Sequence, residues 1–232
     1  KIIPVAAALE LVHTASVVHD DINDHGVVRR GRPSVNSIWG RTFALLTGDF
    51  LFTKVYELMA PYKDMNVIFA EATVALVEGE TLQASAVKEK NLTRQVYMEI
   101  IALKTAALFK AGGKLGAALA DADDAAMDAL GTFGYNIGLA FQIVDDILDV
   151  IGDEEQTGKT AGLDQNQGKG FTAIENGNGS NGNGSQDIME TVKGKLLENI
   201  DQAQAQAEQL VNIGIDVLDV FPDSPAKQEL IA

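Results

Sequence analysis

Apolar residues recur at spacings of three and four along most of this 232-residue chain, which is the pattern of helices that bury one face. Proline and paired glycines interrupt the pattern at Pro61 and at Gly112-Gly113. No segment shows strand-type alternation, so doubly wound nucleotide-binding folds are excluded and an all-α fold is predicted. The predicted helices cover about 5–24, 37–60, 64–87, 94–112, 123–151 and 187–212, and the last ten residues look like an unfinished helix.

One segment departs from this helical pattern. From Gly152 to about Gly170 the composition turns to Gly, Lys, Asp and Gln, as in a surface loop. It is followed at 176–185 by NGNGSNGNGS, a tandem repeat without any apolar residue, whose backbone entropy burial could not offset. We therefore predict a single helical domain over 1–232 with a flexible connector at about 175–186.

Composition narrows the classes of partner. Hydrophobic residues make up 46% of the chain, which is ample for a core, and the net charge of −15 argues against a nucleic-acid partner. The absence of Cys excludes disulfides and thiolate metal sites and is compatible with the cytoplasm, which is the expected location. Charges such as Glu10 and Asp49 break each apolar stretch, so no membrane span is expected.

The first candidate for chemistry is the acidic cluster HDDIND, which closes the first predicted helix. Asp20 and Asp24 stand at i and i+4, so their carboxylates share one helix face about 5 to 6 Å apart and repel each other. The apolar neighbours Val17 and Ile22 strengthen that repulsion, and a divalent cation relieves it. Mg²⁺ is favoured because it prefers hard oxygen ligands and is commonly bound by one or two carboxylates together with substrate phosphates.

A second copy of the cluster, FQIVDDILDV, repeats this arrangement. Asp145 and Asp149 are paired at i, i+4 with Asp146 beside them, on a helix whose other residues are strongly apolar. Unpaired charges are expensive in such surroundings. A single DDxxD is more often a solvated acidic turn, but two copies in one all-α chain favour a metal site.

Basic residues that could bind phosphate lie just after the first acidic cluster, between the two acidic clusters, and after the second. Arg29 and Arg30 follow the first cluster by five residues, and guanidinium groups suit bidentate phosphate contacts. Lys104, Lys159 and Lys169 stand beside small residues that would let a phosphate approach. Local charge balance in an acidic protein is the alternative interpretation of these lysines.

In order, the chain contains ELVHTASVVHDDIND, RRGRPSVN, LLTGDFLF, GETLQ, LKTAAL, GLAFQIVDDILDV and GKTAGLDQNQGK. With these blocks it resembles the trans-isoprenyl diphosphate synthases, the polyprenyl synthetase family, from about Glu10 to Lys169. The resemblance implies a bundle of mostly antiparallel helices around a central cavity, a homodimer, and an enzyme that condenses isopentenyl diphosphate with an allylic diphosphate.

The resemblance also implies roles for particular residues. The two clusters would face each other and hold two or three Mg²⁺ on the allylic diphosphate, while Thr105 and Gln142 would lie near the reacting carbons. Among the cations, Lys104, Lys159 and Arg29 would contact the allylic diphosphate, Arg30 that of isopentenyl diphosphate, and Lys169 the phosphate mouth. The metal ligands would be Asp20, Asp21, Asp24, Asp145, Asp146 and Asp149.

Product length is expected to depend on the residues one turn before the first cluster. In this family the growing chain passes them, and short-chain members tend to carry aromatic residues there. Ala15 and Ser16 are small, which implies a geranylgeranyl or longer product. Phe at either position should shorten it.

Some features depart from the family pattern or leave alternatives. The family usually has a GGKRxRP block upstream of the first helix, where the residues given are Lys1-Ile2-Ile3-Pro4; either that block precedes Lys1 or this part of the site is altered. No Thr-Leu-Pro follows Lys169. The competing interpretations are a class I terpene cyclase and a non-catalytic partner subunit of a heteromeric prenyl synthase. Glu80 and Gln83 are interpreted as helix packing and pocket lining, Asp49 as either a cation partner or a helix contact. Structural or second-shell roles are expected for His13, His19 and His25.

Overall fold

The computed structural model describes residues 2–151 and 187–232, and it is built almost entirely from helices. The predicted all-α class is confirmed. The elements in the first part are α1 (Ile2–Asn23), β1 (Val28–Arg29), β2 (Arg32–Pro33), α2 (Val35–Trp39), α3 (Arg41–Met59), α4 (Met65–Glu89), α5 (Arg94–Ile101), a π-helical turn (Ala102–Ala106), α6 (Ala107–Leu119) and α7 (Asp124–Ile151). The second part contains α8 (Asp187–Asp216), a 3₁₀ turn (Val217–Val220) and α9 (Pro225–Ile231).

Helix ends follow local backbone chemistry in most places. The Ser34 and Thr93 hydroxyls accept hydrogen bonds from the first turns of α2 and α5, as N-cap side chains do. Gly40, at φ 82°, separates α2 from α3 within the single helix predicted over 37–60. Lys90 ends α4 in the left-handed conformation, at φ 54°.

The predicted helix end at Gly112-Gly113 is wrong, because α6 continues to Leu119. A Cβ at Gly113 would collide with the Leu130 carbonyl oxygen, and one at Gly138 would lie 2.7 Å from the Ala106 Cα. These glycines therefore allow α6 and the π-helical turn to approach α7 closely. The sequence pattern alone did not distinguish a helix breaker from a packing glycine.

Two larger apolar cores flank the molecule's central cavity, and a smaller cluster of Val18, Ile22 and Ala44 joins α1 to α3. One of the larger cores joins α1, α3, α4 and α6 around Val12, Met59 and Leu115, each at most 1% exposed. The other joins α5, α7 and α8 around Tyr97 and Ile143. Since α1 and α7 belong to different cores, the acidic clusters that they carry lie on separate walls of the space between them.

α1 is the one helix in the described residues that is long and apolar enough to cross a membrane, with a mean hydropathy of 1.5. Glu10 interrupts its apolar run as expected, yet the helix still meets this criterion of length and composition. Of its most apolar 18-residue window, 28% is buried, and its residues Val5, Ala8 and Val12 pack in a core shared with α3, α4 and α6.

Candidate active site

A cavity of about 470 Å³ opens between α1, α4, α7 and the continuous segment formed by α5, the π-helical turn and α6. It collects charged side chains from all of these elements. Its acidic lining residues are Asp20, Asp21, Asp24, Glu80, Asp145, Asp146 and Asp149, and its cationic ones are Arg29, Arg30 and Lys104.

The end of α1 contributes the first acidic wall. The helix runs to Asn23, so Asp20 and Asp24 share a face one turn apart, as their spacing predicted. Burial raises the pKa of Asp20 to about 7; Lys104 opposes this effect, while Glu80 and Asp24 add to it. The negative charge of this carboxylate is therefore under-compensated, and a further cation would stabilise it.

Lys104 lies between two carboxylates. Its Nζ pairs with Glu80 and lies 4.0 Å from the Asp20 Oδ1, and it donates to the Gln83 Oε1 at 3.3 Å. Burial alone would lower the pKa of Lys104, but Asp20 and Glu80 outweigh it and raise the pKa above its ordinary value. Glu80 and Gln83 thus line the pocket as predicted, and they also hold the catalytic lysine candidate in place.

Asp21 has a different environment from its neighbour Asp20. It is 4% exposed, and its Oδ1 accepts from the Arg29 Nε at 3.1 Å and from the Arg29 Nη2 at 2.9 Å. A Cβ at Gly26 would come within 2.9 Å of the same oxygen, so the turn is closely packed around it. Asp21 fixes the arginine after the cluster, and this arginine faces the cavity.

Arg29 and Arg30 belong to a short hairpin between α1 and α2, in which two strands of two residues each are joined by a two-residue turn. Val28 pairs with Pro33, and Arg29 pairs with Arg32. Arg30 and Gly31 form the connection with φ values of 51° and 71°, the left-handed geometry of tight hairpin turns. The hairpin brings both arginines into the cavity lining, five and six residues beyond Asp24 in sequence.

The second acidic wall comes from α7. Asp145 and Asp149 line the cavity one turn apart. Asp146 also reaches it but is only 6% exposed, and both of its oxygens accept hydrogen bonds: Oδ2 from the Tyr97 hydroxyl at 2.9 Å and Oδ1 from the Gln142 Nε2 at 2.8 Å. The Thr105 Oγ1 donates to the Gln142 Oε1 at 2.8 Å.

Lys104 and Thr105 lie in the π-helical turn, a widened turn that is frequent at functional sites. The turn inserts between α5 and α6 without ending the helix. Tyr97, Ile101, Lys104, Thr105 and Leu108 consequently all line one cavity.

The two residues predicted to set product length are placed differently. Ser16 lines the cavity, and its hydroxyl donates to the His13 carbonyl at 2.8 Å. Ala15 is 0% exposed and is not part of the cavity lining. Ser16 is therefore the one of the pair that could touch a growing chain directly.

Other sequence-based assignments have mixed outcomes. His19 packs between helices, with its Nε2 3.5 Å from the Asp49 Oδ1, so Asp49 forms a contact between α1 and α3. Sequence reasoning missed Tyr97. Its spacing of seven from Lys104 within one predicted helix is the signal that could have placed it on the same face. Lys159, Lys169 and the connector at about 175–186 lie outside the described residues.

The carboxylates of the cavity could bind a divalent metal ion whose remaining ligands come from the substrate. Among the described residues, no group of three acidic or histidine side chains is already gathered around one point. Asp20 and Asp24 on α1, and Asp145 and Asp149 on α7, instead offer pairs of oxygen ligands on two walls. Mg²⁺ is commonly held by one or two carboxylates, with waters and substrate phosphates completing its shell.

Comparison with known proteins agrees with this site. The polyprenyl synthetase family profile matches residues 1–211. The chain is 32% identical to the octaprenyl diphosphate synthase of Escherichia coli over 252 residues, which are 99% of this chain and 76% of that protein. It is 33% identical to the geranylgeranyl diphosphate synthase of Methanosarcina mazei, over 100% of this chain and 76% of the relative.

Solved structures give the same result. The polyprenyl synthase of Caulobacter crescentus, complexed with calcium and isoprenyl diphosphate, superposes with a TM-score of 0.86 at 33% identity. The match covers 98% of this chain and 75% of that one. The heptaprenyl diphosphate synthase of Staphylococcus aureus superposes with a TM-score of 0.87 at 28% identity, covering 98% and 76%.

These matches define a class of all-α enzymes that handle diphosphates in a helical cavity. The chain belongs to the polyprenyl synthetase family. It is a trans-prenyltransferase that acts on isoprenyl diphosphates, and the family depends on divalent metal ions.

Proposed function

We propose that this protein elongates an allylic diphosphate with isopentenyl diphosphate to an all-trans product of geranylgeranyl length or longer, using Mg²⁺. The observation that carries the proposal is the cavity itself. Paired carboxylates of α1 and α7 line it together with Lys104 and two arginines, and its wall also includes the small side chain of Ser16.

Of the six aspartates predicted as metal ligands, the i, i+4 pairs Asp20/Asp24 and Asp145/Asp149 would hold two or three Mg²⁺. Asp21 is paired with Arg29, and Asp146 accepts hydrogen bonds from Tyr97 and Gln142. The support is the spacing of the two i, i+4 pairs and the raised pKa of Asp20, which indicates a carboxylate in need of a cation. When bound, Mg²⁺ neutralises diphosphate charge and makes the diphosphate a better leaving group. No thiolate or imidazole donor is required by this set.

The protein's own cations complete the neutralisation. Lys104, Lys159 and Arg29 would bind the allylic diphosphate, and Arg30 that of isopentenyl diphosphate, with Lys169 near the mouth. The allylic C–O bond then breaks, and the electron pair leaves with diphosphate. The double bond of isopentenyl diphosphate attacks the allylic carbon, and the departing diphosphate accepts the proton that is lost. Thr105 and Gln142 supply oxygen dipoles beside the positive carbon.

The small side chain at position 16 supports the geranylgeranyl or longer product. A growing apolar chain needs a path away from the charged end of the cavity, and the lining offers Val17, Leu76 and Leu108 in addition to Ser16. No aromatic side chain occupies position 16, so the wall is not closed there.

A homodimer in the cytoplasm is the proposed state. Exposed apolar side chains follow one face of α3 at four- and three-residue intervals: Trp39 just before the helix, then Phe43, Leu46 and Phe50, all 51–60% exposed. On α4, Val67, Val74 and Val77 are also more than half exposed. Such rows on two long helices suit burial against a second copy of the chain.

The deciding experiment incubates full-length protein with labelled isopentenyl diphosphate, a series of allylic primers and Mg²⁺, and sizes the products by chromatography. We expect elongation to twenty carbons or more. Cyclic products formed without isopentenyl diphosphate would instead indicate a terpene cyclase. Elongation only after a second protein is added would indicate a partner subunit. D20A and D145A serve as metal-site controls and should abolish Mg²⁺-dependent turnover.

A further inference from the structure

A row of four side chains runs along the wall of the cavity between the π-helical turn and α7. The Thr105 hydroxyl donates to the Gln142 Oε1, the Gln142 Nε2 donates to the Asp146 Oδ1, and the Tyr97 hydroxyl donates to the Asp146 Oδ2. All three hydrogen bonds are 2.8 to 2.9 Å long. The row links two helices across 49 residues of sequence at its Tyr97 end.

The direction of every hydrogen bond in this row follows from the charge at one end. A carboxylate can only accept, so the Gln142 amide must turn its nitrogen towards Asp146. Its carbonyl oxygen then faces Thr105, and the Thr105 hydroxyl must donate to it. The lone pairs of the Thr105 oxygen are left for the cavity, which this residue lines.

Burial makes this orientation firm. Tyr97 is 5% exposed and Asp146 is 6% exposed. Hydrogen bonds in a low-dielectric interior are stronger, and a buried carboxylate needs its donors to remain ionised. The Tyr97 hydroxyl is one of these donors, and it therefore supports the charge that sets the direction of the row.

We propose that Tyr97 and Asp146 are positioning residues that orient Gln142 and thereby present the Thr105 oxygen, lone pairs outward, to the cationic allylic carbon. This inference rests on the proposed prenyl elongation and adds to it two residues that act through others. Oxygen dipoles fixed in advance stabilise a developing charge without the cost of reorganisation during the reaction.

The same arrangement separates Asp146 from its neighbour Asp145. Each oxygen of Asp146 accepts a hydrogen bond from a protein side chain, which fits a carboxylate that directs Gln142, and this is the role the proposal gives it in place of Mg²⁺ binding. Asp145, one residue earlier, remains a proposed metal ligand. Two adjacent aspartates of one motif thus have different tasks.

A double-mutant cycle between Y97F and T105V tests the link. Phe keeps the shape of Tyr97, and Val keeps that of Thr105, while each removes a hydroxyl. We expect kcat to fall about tenfold in Y97F and about a hundredfold in T105V, because each loses a preorganised hydrogen bond. The double variant should lie within about threefold of T105V alone, since Tyr97 acts through Thr105.

The matched control is Y135F, which removes a hydroxyl in the same apolar core but outside the cavity lining. It should leave kcat and the KM values unchanged. Melting temperatures of all variants separate a loss of positioning from a loss of fold. Losses in kcat that multiply to about a thousandfold in the double variant would overturn the proposal.

A second measurement does not depend on turnover. Mg²⁺ with inorganic pyrophosphate should raise the melting temperature of the wild type and of D146N, but not of D145N. A D146N protein that loses this rise would show that Asp146 binds the metal, contrary to the proposal. Wild-type protein without elongation would refute the proposed function, and the D146N comparison would still decide the role of Asp146.

Discussion

Burial raises the pKa of the Asp20 carboxyl into the neutral range. The carboxyl has a pKa of about 7 because it is desolvated at the end of α1, with Glu80 adding to the effect and Lys104 opposing it. A proton and a metal ion therefore compete for the same oxygens around neutral pH.

We expect the Mg²⁺ concentration for half-maximal activity to rise as pH falls through about 7, by up to about tenfold per unit, and to level off above pH 8. Activity titrated with Mg²⁺ at several pH values measures this. Substrate diphosphate also takes up protons, so the control is E80Q. This variant removes a group that raises the pKa of Asp20 and should move the midpoint to lower pH. An identical midpoint in both proteins would count against Asp20 as the titrating group.

Ser16 is the residue at which product length can be tested. S16F places an aromatic ring in the cavity lining, and we expect the product distribution to shift to shorter chains, measured by chromatography of the dephosphorylated products. A6F on an exposed face of the same helix should change nothing. Longer or unchanged products from S16F would contradict the path. Ala15 is a poorer test than the sequence suggested, because a ring at a fully buried position would disturb the core.

The residue scale also shows how far sequence reasoning reaches. The aspartates of both motifs could be predicted as a group, because i, i+4 spacing fixes a shared helix face. The different roles of these aspartates could not be predicted, because the partners of Asp21 and Asp146 come from other parts of the fold. Asp21 accepts from Arg29 on the hairpin, and Asp146 accepts from Tyr97 on α5.

At the scale of elements, α4 and the π-helical turn approach each other closely, and this approach determines which side chains contact Lys104. Gly79 lies at the contact, and a Cβ there would come within 2.9 Å of the Lys104 backbone nitrogen and 2.8 Å of the Leu103 Cβ. This approach allows Glu80 and Gln83, on the same helix as Gly79, to reach Lys104.

G79A should therefore lower the free energy of unfolding by about 1 to 3 kcal/mol and reduce kcat, because the turn carrying Lys104 must shift. Denaturant unfolding and steady-state kinetics measure the two effects. G116A, in the open on α6, is the control and should stabilise the protein by about 0.5 to 1 kcal/mol. An active, more stable G79A protein would show that the contact is not tight.

Element boundaries were predictable where capping chemistry marks them and unpredictable where packing overrides it. Pro61 falls just after α3 as expected. Gly112-Gly113 does not end α6, and the absence of a Cβ at Gly113 lets the helix pack against the Leu130 backbone of α7. The π-helical turn had no signal in the apolar spacing, since a one-residue insertion changes the periodicity only locally.

At the scale of the whole molecule, the exposed apolar rows of α3 and α4 make assembly testable. We expect L46K and V74K to convert a dimer into monomers, because a charge at the centre of a buried interface is left unpaired. Light scattering coupled to size exclusion measures the mass. V220K, at a similarly exposed apolar position on the 3₁₀ turn, should leave the mass unchanged. A wild-type protein that is monomeric at micromolar concentration would contradict the proposed dimer.

At Arg30 in the hairpin turn, the residue that is best for stability differs from the residue proposed for substrate binding. Arg30 adopts a left-handed backbone that glycine accepts more readily, so R30G should raise the free energy of unfolding by up to about 1 kcal/mol. R32G, on the neighbouring strand with ordinary geometry, should lower it by a similar amount. If R30G also weakens binding of isopentenyl diphosphate, measured as a raised KM, selection for thermal endurance and selection for activity would favour opposite residues at this position. A directed-evolution experiment that selects only for thermal stability would then be expected to replace Arg30 by glycine and so to weaken the binding of isopentenyl diphosphate.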